Sequence, residues 1–232
     1  MTIPAPFSTG FPLTLTPFKS RTEQQLDIAK NYFAVAFKPG YPLQASELNE
    51  IQEIFYIQQT LNVQLLNSSN SWTAGTTPWT GVTPMSKSLI SFTGVEGEPI
   101  TINPGWYHIK DPQINGGIGV WVYNNTIRTV TAGNNESTTD ITIGFTVKTV
   151  VVECTNNSTP SSTEDSYLQD QSNFNVIGGP CGAARIQLQI TGVDSQAGAD
   201  TIFVPMFVGP RIAGNTRQIT FVNSDYTQVT IT

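Results

Sequence analysis

The pattern of apolar and polar positions changes character near residue 70. Before it, Leu48, Ile51, Ile54, Phe55, Gln58, Leu61 and Leu65 recur at i, i+3, i+4 and i+7. That period predicts a helix from about Gln44 to Leu66 with a single apolar stripe. Glu47, Glu50 and Glu53 crowd its first half, where the helix dipole favours negative charge. A shorter helix is predicted near 22–32, with Ser20 or Thr22 as cap and Gln25 at the capping-box position. Lys38-Pro39-Gly40-Tyr41-Pro42 breaks the chain between the two. Residues 1–19 read as an extended arm, because Pro4, Pro6, Pro12 and Pro17 forbid a helix. Phe7, Phe11, Leu13, Leu15 and Phe18 make the arm too apolar for a solvated tail. It is expected to lie along another surface, preferably that of a neighbouring subunit.

From residue 71 to 232 the period is two. Ile186-Gln187-Leu188-Gln189-Ile190-Thr191 alternates as a half-buried strand does, and so do Ile141, Ile143, Phe145 and Val147 with their polar neighbours. Val150-Val151-Val152 breaks that alternation, which predicts a bulge or a strand buried on both faces. Asn115-Gly116 predicts a turn ahead of the strand Ile118–Tyr123. Further strands fit 88–93, 106–110, 127–132, 201–208, 218–222 and 227–232. Residues 72–84 and 156–174 read as long loops. The expected fold is mainly β with a small N-terminal α part: an antiparallel β-sandwich or barrel-like domain (71–232) preceded by the arm (1–19) and a two-helix segment (20–70).

Composition narrows the function classes. Only 12% of the 232 residues are charged, against about 25% in an ordinary domain. Ser, Thr, Asn and Gln together supply roughly a third of the chain. A net charge of −6 offers no basic footprint for nucleic acid or an anionic membrane. No apolar run approaches the ~20 residues of a membrane span, and Met1–Pro6 has neither a basic nor an apolar signal region. Cys154 and Cys181 lack metal-ligand spacing and are expected to be free and packed rather than bridged.

Little catalytic chemistry is legible. The single histidine, His108, belongs to no nucleophile-elbow motif and is expected to be structural or a surface residue. Asp165, Asp170, Asp194 and Asp200 follow no calcium-loop register, and the glycine pairs at 116–117 and 178–179 read as turns. Glu96, Glu98, Glu136, Glu153 and Glu164 could in principle form a glycosidase pair, but most lie in turn-like segments. Trp79 and Trp106 are candidate sugar-stacking platforms, the alternative being that Trp106 and Trp121 fill a core. No enzyme activity, metal or cofactor is expected.

Two segments resemble a known family. Tyr32-Phe33-Ala34-Val35-Ala36-Phe37-Lys38-Pro39-Gly40-Tyr41-Pro42-Leu43-Gln44-Ala45-Ser46-Glu47-Leu48-Asn49-Glu50-Ile51-Gln52 resembles the "F-x-PG-x-x-LQA-x-EL-x-x-LQ" signature of tail and baseplate structural proteins of large tailed bacteriophages, cyanophages among them. Leu168-Gln169-Asp170, Asn173-Phe174 and Gly179-Pro180-Cys181-Gly182-Ala183-Ala184-Arg185-Ile186-Gln187-Leu188 are similar to that family's "L-x-D … NF … PGA-x-R-L-x-L" stretch. Ile100–Trp106 and Ile118–Trp121 are similar to its hairpin and to a following strand. Cys181 departs from the pattern as an insertion within the PGA element, and the chain is shorter than many relatives.

The resemblance implies a virion structural protein, a baseplate or tail-fibre-attachment subunit assembled in the host cytoplasm and located in the tail. Its partners would be other tail and baseplate proteins and further copies of itself, as a trimer or within a threefold or sixfold ring. Phe7, Phe11, Leu13 and Phe18 of the arm, and Glu47, Ile51, Phe55, Gln58 and Leu65 of the long helix, are the expected interface residues. The alternative is a receptor- or glycan-binding module of a tail fibre, with Trp79 and Trp106 as contacts.

Overall fold

The structure, a computed structural model, describes residues 30–40, 43, 45–67, 81–91, 99–130, 142–155, 161–165, 168, 182–193, 198–213, 216–221 and 227–231. In chain order the elements are β1 (Tyr32–Ala36), α1 (Ala45–Asn67), β2 (Gly81–Pro84), β3 (Ile90–Ser91), β4 (Ile100–Ile102), β5 (Gly105–Lys110), β6 (Val120–Asn124), β7 (Arg128–Val130), β8 (Thr142–Cys154), β9 (Glu164–Asp165), β10 (Ala184–Gly192), β11 (Ile202–Ala213), β12 (Thr216–Phe221) and β13 (Thr227–Ile231). The fold is thus mainly β, and α1 is the one α-helix among the described residues. The strands form a seven-stranded sheet in the order β1-β10-β8-β11-β12-β13, with β9 beside β8, and two three-stranded sheets, β2-β5-β6 and β3-β4-β7. All pairings with a defined register are antiparallel except β8 with β9. No helix among the described residues is long and apolar enough to cross a membrane.

The chain divides into two compact units, residues 1–60 with 149–189 and residues 61–148 with 190–232. In the first, β1 pairs with β10, and Glu153 and Cys154 of β8 pair with Glu164 and Asp165 of β9. Tyr32, Val150, Val152 and Leu168 form its apolar cluster, with Cys154 packed on it. In the second, β5 lies between β2 and β6. Tyr107 of β5 is fully buried; its ring meets Phe145 edge-on at 5.0 Å and its hydroxyl donates to the Asn103 carbonyl at 2.7 Å. Burial pushes that hydroxyl's pKa well above its ordinary value.

Several expectations are corrected. The helix near 22–32 lies largely outside the described residues, and at its far end Tyr32 already belongs to β1. Residues 20–70 are therefore not wholly helical: the aromatic and β-branched run Tyr-Phe-Ala-Val-Ala pairs with β10. The two loops also hold strands. β2 closes the first, with all four of its residues buried, and β9 lies in the second. The two halves of β8 reverse their expected roles. Ile143 to Val147 are buried without a break, whereas Val150 and Val152 are buried and Val151 exposed in plain alternation.

Pro205 interrupts β11 opposite Gly144, where the register slips between Pro205 and Phe207. A proline lacks the N–H that a ladder needs, so the bulge accommodates it. Gly144 is required there because a Cβ would overlap the Val204 carbonyl. The cysteine expectation also fails: Cys154 is disulfide-bonded, and the only other cysteine in the chain is Cys181.

Candidate functional site: helix α1

Helix α1 has its charged face inward. Its only charged residues are Glu47, Glu50 and Glu53, and all three are buried. They sit three residues apart, so they share the side on which Ile54, Ile57, Leu61 and Leu65 are also buried. The counter-charge comes from β10. Arg185, fully buried, grips Glu50 with two parallel bonds, Nε to Oε1 at 2.7 Å and Nη2 to Oε2 at 2.5 Å. Its Nη1 donates to the carbonyls of Ala183 at 2.6 Å and Ala184 at 3.3 Å. Glu47 Oε1 accepts the Ala183 N–H at 2.5 Å. The planar guanidinium is the group suited to this, because its fork matches a carboxylate and its remaining donors suit backbone oxygens. A buried pair of this kind fixes geometry more than it adds net stability, since desolvation offsets much of the attraction.

With the carboxylates turned in, apolar groups face out. Leu48 is 44% exposed, Ile51 37%, Phe55 57%, Tyr56 46% and Val63 53%. Gln52, Gln59 and Gln64 are exposed beside them. The Phe55 and Tyr56 rings meet edge-on at 6.0 Å, forming one aromatic ridge. The last turns of α1 are held separately: Asn62 Oδ1 accepts the Trp121 Nε1–H at 2.8 Å. The exposed surface of this helix carries no charge.

The expected interface residues thus separate. Ile51 and Phe55 are exposed and Gln58 is partly exposed. Glu47 and Leu65 are corrected: both are buried within the chain, Glu47 on the Ala183 amide and Leu65 on the inward side, so neither surface is open to a neighbour. Phe7, Phe11, Leu13 and Phe18 lie outside the described residues. Trp79 does as well, and Trp106, only 6% exposed and packed edge-on against Tyr123 at 5.3 Å, is no exposed sugar platform. Arg185 belongs to the second resembling segment, but nothing in its local sequence marks it as the partner of Glu50. Three glutamates at three-residue spacing, in a chain so poor in charge, are the signal that asks for a buried cation.

Other polar residues have structural explanations. His108 is buried with its ring edge-on to Trp121 at 5.2 Å, and a Cβ at Gly119 would overlap it. Burial, helped by Lys110, lowers its pKa to about 4. Of the candidate carboxylates, Glu153 pairs with Lys38 at 2.7 Å on the surface, and Glu164 accepts the Ser161 N–H at 3.1 Å in a local turn. No group of three or more His, Cys, Asp or Glu among the described residues could hold a metal ion. Compared with protein-family models, with curated proteins and with solved structures, the chain matches none.

Proposed function

We propose that the chain is a virion structural subunit of a bacteriophage tail, a baseplate or tail-fibre-attachment protein that works through protein–protein interfaces. The observation that carries this reading is the uncharged, apolar outward face of α1, held on a base formed by the buried Glu50–Arg185 pair and the Glu47 bond to the Ala183 amide. A helix that sends its carboxylates inward and presents Leu48, Ile51, Phe55 and Tyr56 to water has the composition of a surface meant to be covered. A second feature supports it. The two segments that resemble the phage-tail family meet in space, through Glu47 with Ala183 and Glu50 with Arg185. The glycan-binding alternative has no comparable support, because Trp106 is buried.

The test is a density-gradient preparation of tailed particles from the source of the gene, analysed by quantitative mass spectrometry. The expected result is the chain in particles at a fixed ratio to the major tail protein. Intact particles that lack it, with the chain left in the soluble lysate, would refute the reading.

A further inference from the structure

The outward face of α1 has a second property: it reads nearly the same in both directions. Leu48, Gln52, Phe55, Tyr56, Gln59 and Val63 are all exposed. At 3.6 residues per turn they lie within an arc of roughly 100°. Taken from either end, the order is apolar, amide, aromatic, aromatic, amide, apolar, with its centre between Phe55 and Tyr56. We propose that this face is the contact with a second copy of the same chain, the two α1 helices packing antiparallel about a twofold axis. In that arrangement Leu48 meets Val63 of the other copy, Phe55 meets Tyr56, and Gln52 meets Gln59. An amide both donates and accepts, so the two glutamine pairs satisfy each other.

Charge favours this occupant. The face carries no charged residue, so a charged partner surface would be buried against it without compensation. The identical neutral face carries no such penalty, and its pattern is complementary to itself, as an isologous contact requires. This contact shares Phe55 with the interface expected from the sequence but leaves out Gln58 and Leu65; Leu65 faces inward. Nor is it the threefold contact expected there. A twofold seam added to a threefold one gives six copies.

The inference rests on the reading of the chain as an interface-forming subunit, and the experiment separates the two. Sixteen residues of helix–helix contact span about 24 Å, so the full chain is measured at tens of micromolar by native mass spectrometry and light scattering. The expected result is a dimer or a multiple of it. Phe55→Glu, at an exposed position, leaves the melting curve unchanged at a dilution where the wild type is monomeric but weakens association about 100-fold, since one large apolar contact is lost and a charge is buried. Mixed Gln52→Cys and Gln59→Cys chains are expected to cross-link to each other faster than either does alone. A monomeric wild type, or a dimer that Phe55→Glu leaves intact, overturns the second-copy contact. If the monomer is nonetheless found in tail particles with Phe55 covered by another protein, the functional reading stands and this inference falls. A dimer that is absent from particles has the reverse meaning.

Discussion

Replacing Glu50 by Gln removes one negative charge from the centre of the α1–β10 contact and leaves the guanidinium of Arg185 buried. The structure sets the scale. Both side chains are fully buried, joined by two bonds of 2.7 and 2.5 Å, so no solvent reaches Arg185 to replace the lost partner. Breaking a buried pair from one side costs about 3–5 kcal/mol. A chain of this size loses about 2–4 °C of melting temperature per kcal/mol, so Glu50→Gln is expected to melt roughly 6–20 °C below wild type. The double replacement Glu50→Leu with Arg185→Met removes both charges and keeps much of the volume, and it is expected to recover most of that loss. Urea or thermal unfolding of wild type, Glu50→Leu, Arg185→Met and the double variant closes the cycle and measures the coupling directly. The reasoning is refuted if Glu50→Gln costs less than about 0.5 kcal/mol, or if the double variant is as unstable as the sum of the two single ones.

Three further outcomes follow from other parts of the fold. Reducing the Cys154 disulfide, or replacing Cys154 by Ser, releases a loop of about 27 residues if Cys181 is the partner; the chain-entropy relation puts the loss near 3.5 kcal/mol, read as a drop in the urea midpoint and absent if both cysteines alkylate readily in the untreated protein. His108 is held near pKa 4 in the folded chain against an ordinary 6.5, so the unfolded chain takes up the proton first and stability falls as pH drops from about 6.5 toward 4. That loss reaches about 3 kcal/mol, and His108→Gln should flatten this part of the stability profile; an unchanged profile counts against it. Gly144→Ala drives a methyl group against the Val204 carbonyl, where the opposing atoms are backbone and cannot rotate away. It is expected to cost about 1–3 kcal/mol, and a melting curve identical to wild type contradicts the close approach of β8 and β11.

The bounds of α1 and most strands of the β region could be read from period alone, because burying one face leaves a repeat of 3.6 or 2 in the residues themselves. Which side of α1 faces inward could not. Counting hydrophobes turns Leu48, Ile51 and Phe55 inward and the glutamates outward. What reverses the first half of the helix is Arg185, 135 residues beyond Glu50, and no local window contains both. β8 misled for a related reason. Alternation in Ile143–Val147 suggests one wet face, but Thr146 is buried too, its carbonyl accepting the Thr191 hydroxyl at 3.1 Å. Threonine is polar by letter and half apolar in shape, so in a chain this rich in it alternation overstates exposure. β2 was hidden by composition: Gly81, at a φ of 89°, and Pro84 read as loop residues, yet they bound a buried strand.

The scarcity of charge also takes on a more particular meaning in the structure. A low charge fraction by itself says only that membrane-surface and nucleic-acid roles are poorly served. In α1 the few charges present are buried: Glu50 is bonded to Arg185, Glu47 accepts the Ala183 N–H, and Glu53 is buried on the same side. The helix is anchored by polar bonds of fixed geometry, so its outward residues are free of any duty to the core. That division explains how an apolar ridge can remain exposed on a folded chain without being drawn inward. The ridge cannot rotate into the core unless Glu50 leaves Arg185. A Glu50→Gln variant should therefore lose the presentation of Phe55 along with its stability, and the self-association of that variant should fall even below its melting temperature. Association unchanged in a destabilised Glu50→Gln protein would show that the outward face does not depend on the buried pair.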